Sequence, residues 1–168
     1  MRVVILGCAG SGKTTFARRL GECTAVPVIS LDALWQSDWG EKDVPAFRAL
    51  IEQAHAGDDW ISDGNFAQST FDIRVPRATL VIWLERSKLF CVSHAITRVF
   101  KRDEPHRLHK LGKVLKFIWN FDRINRPRIE EARAFYGPDV PVRRLTGGRD
   151  IAAFLSLSRS ISNHPIST

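Results

Sequence analysis

The chain has 168 residues, enough for one domain with a sizeable core. Its 44% hydrophobic and 26% charged residues exclude a disordered or fibrous chain, and no apolar run approaches the ~20 residues of a membrane span. Three cysteines without CxxC spacing exclude a disulfide framework or a zinc site, and the net charge of +7 asks for an anionic partner.

In chain order, RVVIL at 2–6 is a short apolar run ending at glycine, as in a buried parallel strand. Arg2 ahead of this run superficially suggests a secretory leader. The run is well short of the ~7–15 apolar residues that such a leader needs, so a cytoplasmic protein is expected. Residues 13–22 open a helix directly from a glycine-rich loop, and VPVIS at 26–30 reads as a second strand. Residues 44–56 place Val44, Phe47, Leu50, Ile51 and Ala54 on one helical face, with Gly57 as a stop. WIS at 60–62 is a brief strand ending at Asp63 and Gly64, and TLVIWL at 79–84 is another of the buried type. Residues 88–101 are helical, 102–109 hold a proline and form a loop, and 110–135 return to helical spacing with a break near Pro127. VPVRRLT at 140–146 is the last strand, followed by a Gly-Gly turn, a helix at 150–159 and a polar tail at 160–168 expected to fray. Alternating strands and helices give an α/β fold, a parallel sheet with helices on both faces, in a single domain spanning 1–168.

GCAGSGKTT at 7–15 satisfies the pattern G-x-x-x-x-G-K-[ST] through Gly7, Gly12, Lys13 and Thr14. The glycines let the backbone turn its N–H groups inward as an anion nest, and the following helix adds the positive end of its dipole. A nucleotide triphosphate would lie along Gly7, Ala9, Gly10, Ser11, Gly12, Lys13, Thr14 and Thr15. Lys13 would reach the β and γ phosphates, and the Thr14 hydroxyl would ligate Mg²⁺. The context fits, with an apolar strand before the loop and a helix after it. Cys8 reads as a small filler within the loop.

Phosphate chemistry of this kind needs a carboxylate near the metal, at the end of a neighbouring strand. Asp63 and Asp32 both follow predicted strands, and in a parallel sheet both emerge at the edge that carries the loop. Asp63 is assigned to the metal, the alternative being a turn or cap residue. Asp32 is either an acceptor contact or a helix cap.

The positive charge is concentrated. Residues 86–128 hold twelve Lys or Arg against Asp103, Glu104 and Asp122, a net of +9, whereas the rest of the chain has thirteen basic and fifteen acidic residues. Arg98 and Arg102 are four apart on one helical face, Arg107 lies in the loop beyond, and Arg123, Arg126 and Arg128 follow on a second helical stretch. Arginines flanking a loop suit a lid, over about 98–126, that closes on a moving phosphoryl group. A solvated basic face and a nucleic-acid surface are the alternatives. No RNP-like or helix-turn-helix signature supports the latter. The N-K-x-D motif of guanine-specific switches is absent too.

The chain resembles the nucleoside monophosphate kinase-like P-loop proteins, and within them the bacterial adenylate-kinase-related group labelled "DNA topology modulation proteins". The resemblance rests on GCAGSGKTTFARRLGE at 7–22, VISLDALW at 28–35, WISDGNF at 60–66, LVIWLERS at 80–87 and WNFDRINRPR at 119–128. It implies a three-layer P-loop NTPase fold, with a five-stranded parallel sheet in order 2-3-1-4-5 and a helical lid insertion. Mg-ATP would be the donor. It places Arg98 and Arg102 as the first lid arginines, Arg123 and Arg126 as those after the lid, and TGGRD at 146–150 near the adenine. The chain departs from adenylate kinases proper after the third strand. There it reads Asp63-Gly64-Asn65-Phe66 without the Pro-Arg that follows in those enzymes, which speaks against AMP as acceptor. Trp35, Trp39, Asn65 and Phe66 are candidates for a different acceptor pocket, with Arg74 for an anionic group, although the tryptophans fit plain packing equally well. The expected activity is transfer of the γ-phosphate of ATP to a small acceptor, by a monomer or weak dimer without membrane contact. The competing expectation is a nucleic-acid-associated ATPase or regulator acting through 86–128.

Overall fold

The apolar runs at 2–6, 60–62 and 80–84 become strands whose two faces are both covered. A computed structural model describes residues 1–36, 38–101 and 108–163 and, within these, the side chains of all but 99–101, 108–110 and 161–163. The strands β1 (Arg2–Gly7), β2 (Val28–Ser30), β3 (Trp60–Asp63), β4 (Leu80–Leu84) and β5 (Val142–Leu145) form one sheet in order 2-3-1-4-5. Every pairing is parallel. Fold class and strand order are therefore as expected.

Alternation along the strands divides the core into two layers. Val3 and Ile5 of β1, with Ile82 and Leu84 of β4, face α1 (Lys13–Thr24) and α8 (Gly148–Asn163). There Phe16 meets Phe154, with ring centroids 6.0 Å apart. Val4 and Leu6 of β1, with Val81 and Trp83 of β4, face the other way. They pack with Phe71 of α4 (Ala67–Arg74), Cys91 of α5 (Lys88–Lys101), Ile118 of α6 (Leu108–Asn120) and Ile129 of α7 (Arg126–Tyr136). A third cluster lies under α2 (Leu31–Leu34) and α3 (Val44–Ala54), where Leu31, Phe47 and Ile51 are fully buried.

The structure also corrects several boundaries. The helices α2 and α4 and a 3₁₀ turn at Glu41–Asp43 were not expected. The predicted break near Pro127 is a widened π-turn at Phe121–Asn125, after which the chain continues as α7. Pro127 sits in the first turn of α7, where its missing N–H costs no intrahelical bond. The last helix begins at Gly148 rather than 150, because the Asp150 carboxylate accepts from the N–H and hydroxyl of Thr146 at 2.9 and 2.6 Å. Of the predicted 102–109 loop, residues 102–107 lie outside the described residues, and Leu108 already belongs to α6.

Candidate phosphate-transfer site

The parallel sheet brings three chain segments to one edge. β1 ends at Gly7, β2 at Ser30 and β3 at Asp63, with Ser30 opposite Asp63 in the register. The glycine-rich loop between β1 and α1 takes a conformation that ordinary residues resist. Gly7, Gly10 and Gly12 have φ of +148°, +78° and +93°. A Cβ on Gly7 would stand 2.7 Å from the Leu84 carbonyl oxygen, and one on Gly10 would collide with the carbonyl of Cys91. Glycine is therefore required twice over at these positions, by backbone angle and by close approach.

In front of this loop lies a cavity of about 1020 Å³. Ala9, Gly10, Gly12, Lys13, Thr14 and Thr15 form its floor. Gly7 and Ser11 lie behind that floor, Ser11 being buried with a hydroxyl that has no hydrogen-bond partner among the described residues. Asp32 and the 64–66 segment form one wall, while His94, Thr97 and Arg98 of α5 form part of the other. Leu111, Val114 and Phe117 of α6 close the top.

Lys13 donates to the carbonyls of Gly7 and Cys8, both at 2.9 Å. Burial pulls its ammonium below the usual lysine range, and the charges of Asp63 and Asp32 act against that shift. Asp63 is buried, and burial pushes its carboxyl up; the Thr14 hydroxyl and the Lys13 ammonium oppose this. Its Oδ1 has no hydrogen-bond partner among the described residues. A buried anionic oxygen without a donor, next to a threonine hydroxyl, is a fitting place for a hard cation. No group of three or more His, Cys, Asp or Glu ligands occurs among the described residues, so an all-protein metal cage is absent there. Mg²⁺ held by one carboxylate, one hydroxyl and substrate phosphates does not need such a cage.

The arginines divide. Arg98 reaches the cavity. Arg102 and Arg107 lie outside the described residues. Arg123 is exposed on the π-turn and does not line the cavity. Arg126 is bound up elsewhere: it pairs with Glu85 at 2.5 Å and Glu130 at 3.3 Å. Arg144 of β5 shares both carboxylates, at 2.5 and 2.9 Å, and both guanidinium groups lie 5.7 Å from the centre of the Trp83 ring.

The acceptor-side expectations need correction at Arg74. It is fully buried and cannot receive an anion, since its guanidinium donates to Thr70 Oγ1 at 2.9 Å, Ser62 Oγ at 3.0 Å and the Asn65 carbonyl. Trp35 and Trp39 pack into the third cluster, edge to face at 5.7 Å, and do not line the cavity, whereas Asn65 and Phe66 do. His94 and Thr97 also line the cavity and were not expected there. Their spacing from Arg98, i, i+3 and i+4, was the available signal for one shared face.

No family model matches the chain. No curated protein matches it either. Solved structures do. A shikimate kinase from Acinetobacter baumannii, in complex with shikimate, superposes with a TM-score of 0.56 at 14% identity, covering 99% of this chain and 95% of the other. A deoxyadenosine kinase from M. mycoides, with dCMP and dCDP bound, gives 0.55 at 16% identity over 97% of this chain and 99% of the other. At such identities the likeness shows a shared fold.

Proposed function

We propose that the protein is a phosphotransferase that moves the γ-phosphate of Mg-ATP to the hydroxyl of a small acceptor. The observation that carries this reading is the convergence of Lys13, Thr14, Asp32 and Arg98 on one cavity, with the orphaned Asp63 carboxylate beside Thr14. In this reading Lys13 leaves the carbonyls of Gly7 and Cys8 for the β and γ phosphates. Thr14 and Asp63 hold Mg²⁺, which supplies charge neutralisation on the phosphates when bound. Asp32, which also lines the cavity, takes the acceptor's hydroxyl proton. Arg98 stabilises the charge on the moving group, with Arg102 as the second lid arginine. Arg123 and Arg126 complete the lid, Arg126 only by giving up Glu85 and Glu130. TGGRD at 146–150 borders the adenine.

Two structural neighbours that are kinases by name support phosphotransfer. The likeness to the adenylate-kinase-related group, a single domain over 1–168, a cytoplasmic location and a monomer or weak dimer are parts of the same proposal. Among the described residues no helix is long and apolar enough to cross a membrane.

Replacing Lys13 by alanine tests the reading directly. The expected result is loss of ATP turnover by a protein that still unfolds cooperatively in urea, because the ammonium lines the cavity and takes no part in the apolar core. Normal turnover in that variant would refute the assignment.

A further inference from the structure

Asn65 makes an unusual contact for a side chain after a strand. Its Oδ1 accepts from the Gly7 N–H at 3.2 Å, and its Nδ2 donates to the Gly7 carbonyl at 2.9 Å. One amide thus closes both backbone groups of the first glycine of the phosphate loop. Gly64 has φ +138°, which glycine alone adopts freely, and Phe66, a bulky residue, is held against its preference in the left-handed region at φ +34°. Such strain persists only where the surroundings over-determine it. Here the buried Arg74 supplies the constraint by donating to the Asn65 carbonyl while its other donors are fixed on Thr70 and Ser62.

The Gly7 carbonyl has two donors, Asn65 Nδ2 and Lys13 Nζ, each at 2.9 Å. When Lys13 moves to a phosphate, Asn65 Nδ2 remains; without it the carbonyl would have no donor among the described residues. A buried acceptor left without a donor penalises the state that contains it. The same residue lines the cavity on the side of Asp32 and Phe66.

We infer that Asn65 is a positioning residue: it keeps the phosphate loop in its nucleotide-accepting shape after Lys13 departs, and ties that loop to the acceptor-side wall through the Arg74-anchored 64–66 segment. This rests on the nucleotide reading of the site above. Nothing passes through Asn65 chemically. Its effect is on the affinity for the donor nucleotide.

The test uses the full chain with Mg-ATP as probe. Asn65→Ala removes both bonds, while Asn65→Asp keeps an acceptor for the Gly7 N–H but cannot donate to the Gly7 carbonyl. Asn65→Ala should raise the KM for ATP about tenfold, the effect of leaving the buried Gly7 carbonyl without a donor once Lys13 departs, with kcat nearly unchanged. Asn65→Asp should not recover the loss. In the free protein, the Gly7 amide resonance should shift and exchange faster in Asn65→Ala. Arg74→Lys should also raise the KM for ATP in the wild-type background and add little on top of Asn65→Ala. If Arg74→Lys does not fold, the two Asn65 variants decide alone. ATP affinity equal to wild type in Asn65→Ala overturns the inference and leaves the nucleotide reading standing. Failure of the wild-type protein to bind ATP overturns both.

Discussion

Asp63 is held in a state that costs the free protein stability. Its carboxyl is buried with one oxygen unpartnered among the described residues, and its affinity for a proton is raised by that burial. The folded state thus binds the proton more tightly than the unfolded chain does, so the penalty is present at neutral pH and fades as the pH falls through the raised value. A cation at the same place would relieve it too. Asp63→Asn should therefore raise the thermal midpoint of the free protein at pH 7 and abolish the part of the activity that depends on Mg²⁺. A lowered midpoint, or equal losses of activity with and without Mg²⁺, would remove the metal role. His55 shows the opposite sign. Burial lowers it to about 4 from an ordinary value of 6.5. Its ring nitrogens lie 2.7 Å from the Ile51 carbonyl and 2.9 Å from Ser62 Oγ. Between those two pH values the unfolded chain binds the extra proton, so stability is full above 6.5 and is lost as the pH falls toward 4. Urea unfolding should show roughly 2 kcal/mol of such loss between pH 7 and 5 that is missing in His55→Gln. The same slope in both proteins would put the proton elsewhere.

At the scale of elements, the helix α5 matters most, because it carries His94, Thr97 and Arg98 to the cavity across from Asp32. Arg98→Ala should lower turnover about a hundredfold, the usual loss when a charge-stabilising donor is removed, while Lys113→Ala on the exposed face of α6 should change it little. Equal effects would mean a diffuse field rather than a placed arginine. The elements were unevenly legible in the sequence. Continuous apolar runs such as VVIL and LVIWL marked strands buried on both faces, and the glycine-rich loop marked its own position. The helix α4 carried no comparable signal. AQSTFDIR has little apolar periodicity, and one of its buried residues is Arg74, whose charge argued for an anionic group in an acceptor pocket. Arg126 followed the same logic in reverse. It stood among lid arginines by position, but only the pairing of β4 with β5 brings Glu85 and Arg144 beside it. The clasp of Asn65 on Gly7 joins residues 58 apart through one side chain and two backbone groups, a contact that leaves no trace in spacing.

For the molecule as a whole, the parallel sheet explains why one edge collects so much of the chemistry. Each β–α turn at that edge is free to carry function, since the strands behind it are fixed by cores on both faces. The excess positive charge sits in 86–128, and part of it lies on the helices that form the cavity's far wall and top. That placement suits a polyanionic small molecule held between sheet edge and helices, and charge alone would also serve a nucleic acid. The decisive measurement is the fate of labelled γ-phosphate from Mg-ATP. It should be followed with wild type and Lys13→Ala, against a panel of nucleosides, nucleoside monophosphates, small hydroxylated metabolites, DNA and RNA. Wild type should place the label on one small hydroxyl compound, and Lys13→Ala should place it on none. Label recovered only as inorganic phosphate, with release stimulated by DNA or RNA and weakened by salt, would contradict transfer to an acceptor.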